Sequence, residues 1–225
     1  QTANDADFDR AFVHPEYAYY GYSQPLQAFV VNTNLVSADE APQSWADLAD
    51  PRFEGKIIMA NPSLSGSAYA QLAQMLQLYD WDLIEQVVRN TTFVSSSQLV
   101  FENVARGEIE IGITGESNIA QLISEGWPVA AIYPSEGTGL RFDSMGIIKG
   151  GPNPEAARTF MDWATSLANY EVAATHFRRP VRADAPAPEG LAPTTEVPTF
   201  LYDPDLAAAN REANLARFDE LFSQR

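Results

Sequence analysis

Apolar residues recur at two different spacings along this chain of 225 residues, and the two spacings alternate. Between short apolar runs, apolar residues return every three or four positions, as they do on one face of a helix. The short runs themselves have the alternating or continuous pattern of strands, and they lie at 27–32, 56–59, 91–94, 108–113 and 129–133. Strands that alternate with helices predict an α/β domain with mostly parallel pairing.

The last third of the chain has a different pattern. A helix is predicted to begin at Asn153, because Pro154 and Glu155 suit its first turn, and its apolar positions place Phe160 and Trp163 on the inner face. Residues 180–204 contain six prolines, which favours an extended segment over the surface. A final helix is predicted to begin near Pro204.

Four predicted strands end in loops rich in Ser, Thr, Gly or Glu, at 61–67, 95–97, 114–118 and 134–138. Ligands of open α/β sheets collect at the carboxyl ends of the strands, so these loops are expected to converge. The first loop carries Ser65-Gly66-Ser67 directly before a helix, where unpaired N–H groups and the helix dipole attract an anion. An ordinary helix N-cap is the alternative, since Ser is a good cap residue. The convergence of four loops favours the anion site.

Charge and cysteine content exclude several classes of function. The chain has 30 acidic and 14 basic residues, a net charge of −16, so nucleic acid and anionic membranes are not expected as partners. The absence of cysteine excludes disulfides, thiol catalysis and Cys-ligated zinc. No apolar run approaches the roughly 20 residues of a membrane span, and the polar first ten residues do not have the pattern of a signal peptide.

Catalytic motifs are absent. The two histidines, His14 and His176, lie too far apart in sequence for a metal-binding motif, and neither a GxSxG nor a GxxxxGK[ST] pattern occurs. Glu116 and Glu136 are a candidate carboxylate pair for glycosidic chemistry, although the same pair would equally accept hydrogen bonds from sugar hydroxyls. We therefore expect no enzyme, no cofactor and no metal site.

Several segments together resemble the solute-binding proteins of bacterial ABC importers, in the subset with the type II periplasmic fold. One of them, 42–48, has the pattern P-x-[ST]-W-x-D-L, and 51–56 has the pattern P-[KR]-[WF]-x-G-K that follows it in the family. The others are 60–69, 104–108, 111–113, 133–138, 149–157 and 178–184. The branch most similar to this chain includes binders of ferric iron, aminoethylphosphonate, phosphoglycerate and hexose phosphate.

The resemblance implies two α/β lobes joined by hinge strands at about 20–32 and 140–148. Residues 1–32 would form the end of lobe 1 and the first hinge strand. Residues 33–139 would form lobe 2, and 140–225 the return strand and the rest of lobe 1. Family members usually carry about another hundred residues before the position of Tyr17, so the first lobe is expected to be incomplete in this chain.

One departure from the family indicates the kind of ligand. Iron-binding relatives carry a tyrosine pair just after the strand at 109–113, and this chain has Glu116 and no tyrosine at that place. The resemblance therefore favours a small phosphorylated solute: a sugar phosphate, phosphoglycerate or a phosphonate. The expected binding residues are, for the phosphate, Ser65, Gly66, Ser67 and Ser97, for the organic part, Thr114, Glu116 and Glu136, and, as a counter-charge, Arg178.

The resemblance also implies a periplasmic location and a membrane permease as partner, which would recognise the closed, ligand-bound form. Two alternatives stay open. One is a ferric-iron binder of the same fold that uses tyrosines elsewhere, such as Tyr19, Tyr20 or Tyr22. The other is an exported hydrolase of phosphorylated or glycosidic compounds.

Overall fold

A computed structural model describes residues 1–37 and 39–224, which form two compact units. The first unit contains Gln1–Pro25 and Arg141–Pro193. The second contains Leu26–Leu140 and the C-terminal residues from Thr194 onward. The sequence-based division differs from this at the C-terminus, since it assigned all of 140–225 to the first lobe.

The described residues contain nine strands. All nine are short, with three to six residues each. They are β1 (Tyr20–Ser23), β2 (Gln27–Asn32), β3 (Ile57–Ala60), β4 (Thr91–Val94), β5 (Ile111–Gly115), β6 (Val129–Ile132), β7 (Thr138–Leu140), β8 (Asp143–Met145) and β9 (Thr199–Leu201).

Eight α-helices alternate with the strands or follow them, in the same described part of the chain. They are α1 (Gly66–Leu78), α2 (Trp81–Asn90), α3 (Ser97–Ala105), α4 (Glu116–Ser124), α5 (Pro154–Ala164), α6 (Leu167–Thr175), α7 (Pro204–Ala209) and α8 (Arg211–Ser223). Short 3-10 helices lie at Ala46–Ala49 and Pro51–Phe53, where the sequence predicts a short helix capped by Ser44. The Ser44 hydroxyl accepts a hydrogen bond from the N–H of Asp47 at 3.0 Å.

A five-stranded sheet of order β4-β3-β5-β2-β6 forms the centre of the second unit. β3 pairs in parallel with β4 and β5, whereas β2 is antiparallel to both β5 and β6. The pairing is therefore mixed and not mostly parallel, because β2 is inserted in the opposite direction. β3, β4, β5 and β6 nevertheless share one direction, so all four end at the same edge of the sheet.

Helices cover this sheet closely. At Gly112 in β5, an added Cβ would lie 2.9 Å from side-chain atoms of Val100 and Val30, so only glycine lets α3 approach the strand at this point. The C-terminal helix α8 joins the same core through Phe218 and Leu221, which are both buried. This burial is the physical reason that the C-terminal residues belong to the second unit.

The first unit has a smaller core around Tyr20 and Tyr170, with the two-stranded sheet β1-β8. A continuous hinge strand is expected over about 140–148, and the structure has only the last residue of β7 and the three residues of β8 in that segment. The prediction that Phe160 and Trp163 lie on the inner face of α5 is also wrong, because these side chains are 60% and 50% exposed. Their rings contact each other at 5.5 Å between centroids and lie outside the core.

No helix of the described residues has the length and apolar character needed to cross a bilayer.

Candidate functional site

The loops that follow β3 and β4 are held together at the edge of the sheet. The N–H of Asn61 donates to the carbonyl oxygen of Val94 at 2.8 Å, which joins the ends of the two strands. The Asn61 side chain accepts from the N–H of Ser63 at 2.7 Å, and the Ser63 hydroxyl donates to Asp219 of α8 at 2.7 Å. The first loop therefore turns tightly, and Ser65 lies directly before the start of α1.

Three serine hydroxyls meet at this point, and we call them the serine cluster: Ser65, Ser67 and Ser97. The Oγ atoms of Ser65 and Ser67 are 3.1 Å apart, and each lies close to that of Ser97, at 3.0 Å and 2.7 Å. Ser65 is the N-cap of α1, Ser67 lies in its first turn, and Ser97 opens α3. The structure thus brings together three residues that are 32 positions apart at most in sequence.

The chemistry of the serine cluster suits an anion. Each hydroxyl has one proton and is free to rotate, so the three groups either hydrogen-bond among themselves or donate outward. The first N–H groups of α1 and α3 lack an acceptor within their helices, and the two helix dipoles add partial positive charge at the same place. Gly66 is exposed and an added Cβ would meet nothing within 4 Å, so the backbone of the first turn is open.

The third loop carries a buried carboxylate. Glu116 begins α4 with only 2% of its surface exposed, and its side chain accepts a hydrogen bond from the Tyr133 hydroxyl at 2.6 Å. Thr114 is buried at the end of β5, and its hydroxyl accepts from the Asn118 side chain at 2.9 Å. Because β3 and β5 end at the same edge, Glu116 and Thr114 lie at the same edge as the serine cluster.

Sequence reasoning missed Tyr133 and Asn118. Both are adjacent in sequence to the loops that it singled out, Asn118 inside the third and Tyr133 just before the fourth. The pattern contains a signal for Tyr133, which is a polar-tipped aromatic residue at the carboxyl end of a strand. Its partner, Glu116, lies 17 residues away, and only the sheet brings the two side chains together.

Glu136, also predicted to bind the ligand, accepts hydrogen bonds from groups of the same unit, and its role in ligand binding stays a prediction. Its carboxylate accepts from the N–H groups of Trp45 and Ala46 at 3.1 Å and 3.3 Å, and from the Tyr79 hydroxyl. Trp45 is fully buried and its indole N–H donates to the Gly137 carbonyl oxygen at 2.9 Å. Glu136 therefore caps the short helix at Ala46–Ala49 and holds it on the fourth loop.

The Tyr79–Glu136 contact predicts a pH dependence at high pH. Burial, together with the hydrogen bond to Glu136, raises the pKa of Tyr79 to about 12 from its ordinary value of 10.0. The folded state therefore keeps a proton that the unfolded chain loses, so this contribution to stability is complete below pH 10 and disappears as the pH rises through 12. Denaturant unfolding of the protein and of Tyr79→Phe between pH 9 and pH 12 should show a smaller alkaline loss in the variant. An equal loss in both proteins would contradict the prediction.

Arg178, the predicted counter-charge, belongs to the first unit. It follows α6, its backbone N–H donates to the Ala173 carbonyl oxygen at 3.0 Å, and its side chain is exposed. Its role in ligand binding stays a prediction.

The tyrosines of the iron alternative also lie in the first unit, and their surroundings do not favour iron. The Tyr20 hydroxyl donates to Asp5 at 2.8 Å, and burial raises the pKa of this phenol, which opposes the phenolate that iron requires. Tyr19 packs against His14, and Tyr22 against Tyr170. Within residues 1–37 and 39–224, no group of three or more His, Asp or Glu side chains is arranged to hold a metal ion.

The fold defined by these two units is that of the type II periplasmic binding proteins. The structure matches the periplasmic binding protein AfuA of Actinobacillus pleuropneumoniae, solved with fructose-6-phosphate bound, with a TM-score of 0.87 and 24% identity. That match covers 100% of this chain and 76% of the other. Iron-bound HitA of Pseudomonas aeruginosa matches with a TM-score of 0.83 and 15% identity, over 98% of this chain and 74% of that one. Both likenesses confirm the predicted fold class.

The family follows from the sequence. A model of the bacterial extracellular solute-binding proteins matches residues 1–201, so the chain belongs to that family.

Two curated relatives match part of this chain. An uncharacterised protein of Haemophilus influenzae is 34% identical over 156 residues, which cover 66% of this chain and 45% of the relative. Iron uptake protein A1 of Synechocystis is 22% identical over 200 residues, which cover 79% of this chain and 54% of the relative. The chain thus spans about half the length of the curated relatives that it matches.

Proposed function

We propose that this protein is the solute-binding component of an ABC importer and that its solute is a small phosphorylated compound. The observation that carries the proposal is the serine cluster, in which hydroxyls from two helix N-termini lie within 3.1 Å of one another. Hydroxyls and backbone N–H groups are suitable donors for phosphate or phosphonate oxygens. A binding role without catalysis agrees with the family, whose members are solute-binding proteins.

In this proposal Ser65, Ser67, Ser97 and the backbone at Gly66 hold the phosphate group. Glu116 and Thr114 recognise the organic part, because a carboxylate and a hydroxyl oxygen both accept hydrogen bonds from a hydroxyl or an amine. A sugar phosphate, phosphoglycerate and aminoethylphosphonate each offer such a donor together with a phosphate or phosphonate group. Membership of an extracellular family supports a periplasmic location, with a membrane permease as partner.

The ferric-iron alternative has weaker support. Several of the similar proteins have iron in their names or descriptions, but in this chain the position after β5 carries Glu116 and no tyrosine. Iron prefers anionic oxygen donors, and one carboxylate together with neutral serines is a poor set for it.

Titration calorimetry on the protein tests the proposal. The probes are glucose 6-phosphate, 3-phosphoglycerate and 2-aminoethylphosphonate, with sulfate and ferric citrate for comparison. We expect saturable heat with at least one of the three organic probes and none with sulfate.

Three results would count against the proposal. Tight binding of iron with a charge-transfer colour, and no heat with the phosphorylated probes, would favour the iron binder. Turnover of p-nitrophenyl phosphate that disappears in Glu116→Gln would favour the hydrolase. No binding of any probe would remove the phosphate assignment while leaving the family unaffected.

A further inference from the structure

A group of glutamine amides is buried beneath the serine cluster, inside the second unit. Gln71 and Gln74 lie on α1, one turn apart, and are 2% and 0% exposed. They share one face of the helix with Ser67, because the spacings of four and three residues bring side chains to the same side. A third amide, Gln27 at the start of β2, is 2% exposed. Buried amides need hydrogen-bond partners, so each of their atoms requires an account.

The orientation of the Gln71 amide is fixed by a backbone group. Its Nε2 donates to the carbonyl oxygen of Ile113 at 3.3 Å and to Oε1 of Gln27 at 2.7 Å. A carbonyl oxygen only accepts, so the nitrogen must be on this side and the oxygen on the other. The Gln71 oxygen is buried and has no hydrogen-bond partner in the described part of the chain.

The orientation of the Gln74 amide is fixed in the opposite sense. Its Oε1 accepts from the backbone N–H of Gly139 at 2.9 Å, and the Thr138 hydroxyl lies 3.5 Å from the same oxygen. A backbone N–H only donates, so the oxygen must face Gly139. The Gln74 nitrogen is therefore the atom left over, and among the described residues this buried donor also lacks a partner.

The two leftover atoms are complementary, since one is an acceptor and the other a donor on neighbouring turns of one helix face. We propose that a single buried water molecule joins them, donating one hydrogen to Oε1 of Gln71 and accepting from Nε2 of Gln74. A water molecule is the smallest ligand that satisfies both atoms at once, and buried waters characteristically occupy sites of this kind.

With this water in place, the amides form a continuous hydrogen-bonded column between α1 and two strands. Gln71 connects to β2 through Gln27, and Gln74 connects to β7 through Thr138 and Gly139. The column closes on itself, because the backbone N–H of Gln27 donates to the Thr138 hydroxyl at 2.9 Å. The helix that carries Ser65 and Ser67 is thus tied to the strand ends nearest the points at which the chain leaves and enters the second unit. The water site does not depend on which solute the protein binds.

A crystal structure of the unchanged protein at about 1.5 Å resolution is the direct test. We expect one ordered water within hydrogen-bond distance of both Oε1 of Gln71 and Nε2 of Gln74. A direct hydrogen bond between the two amides, or a site without water density, would overturn the proposal.

A double-mutant cycle tests the same water in solution. Gln71→Met and Gln74→Met each leave the water with one partner, whereas the double variant removes the need for it. We therefore expect the loss in the folding equilibrium constant of the double variant to be smaller than the product of the single losses, by about threefold or more.

The control cycle pairs Gln71→Met with Gln77→Met. Gln77 lies on the same helix, but its amide bonds to the backbone of Asp203 near the surface. In the control cycle, the loss in the folding equilibrium constant of the double variant should equal the product of the two single losses. Equal behaviour of the two cycles would contradict the water bridge, and the crystal structure still decides the matter if a methionine variant fails to fold.

Discussion

The double variant Ser67→Ala/Ser97→Ala is expected to bind its phosphorylated solute at least a hundredfold more weakly than the unchanged protein. Each hydroxyl would donate a hydrogen bond to a charged oxygen, and such a bond contributes about 1.5–3 kcal/mol. Since ~1.4 kcal/mol corresponds to a factor of ten, two lost bonds account for a hundredfold change or more. Calorimetry with the best-bound of the three organic probes measures the change.

The chain offers a matched control for this experiment. Ser95 lies in the same loop as Ser97 but is exposed and outside the serine cluster. Ser95→Ala should leave the affinity within about twofold. Circular dichroism and the denaturation midpoint should show that both variants fold as the unchanged protein does, because alanine is compatible with the first turn of a helix. An unaltered affinity in the double variant would mean that the serine cluster only caps its helices.

Replacing Glu136 with alanine should lower the free energy of unfolding by about 2–3 kcal/mol, since a carboxylate that accepts hydrogen bonds would be lost and its donors left partly buried. The affected donors are the N–H groups of Trp45 and Ala46, the Tyr79 hydroxyl and the exposed Ser135 hydroxyl. Glu136→Gln retains one acceptor oxygen and should lose less. Urea unfolding at pH 7 provides the measurement.

The same variant distinguishes the two roles considered for Glu136. If the carboxylate only holds Trp45 and Tyr79, the affinity for the phosphorylated probe should stay within about threefold of its original value. Glu54→Ala, which removes an exposed carboxylate from the second unit, is the control for the change in net charge. A tenfold loss of affinity at unchanged stability would restore the ligand-binding role that the sequence predicts.

Local sequence predicted much of the second unit because its signals act over a few residues. Ser65 caps α1, and β2 and β4 occur where their apolar runs lie. The family resemblance, carried by motifs spread along the chain, agrees with the match over residues 1–201. Helix caps and apolar periodicity are properties of neighbouring residues, so a single sequence contains them in full.

Two errors, for α5 and for the C-terminal helix, share one cause. The apolar pattern of a helix does not show which other part of the protein the helix packs against. The periodicity of α5 correctly indicated a helix but did not say which side faces the core, and Phe160 is exposed. The C-terminal helix was assigned to the first lobe, whereas Phe218 packs in the core of the second unit. A helix with an apolar face is stable against any suitable core, and only the three-dimensional course of the chain selects one.

The sequence by itself determined most elements of the second unit, the family and the four loops that end the strands of the sheet, because all of these depend on local pattern or on motifs. The tertiary structure decided how the side chains in those loops are used. It brought the hydroxyls of Ser65 and Ser67 to 3.0 Å and 2.7 Å from that of Ser97 through the parallel neighbours β3 and β4. It also placed the Tyr133 hydroxyl beside Glu116, to which it donates a hydrogen bond. The carboxylate of Glu136 instead accepts from the backbone N–H groups of Trp45 and Ala46. Two glutamates with the same chemistry thus differ in their hydrogen-bond partners, because these depend on which donors the fold places beside each carboxylate.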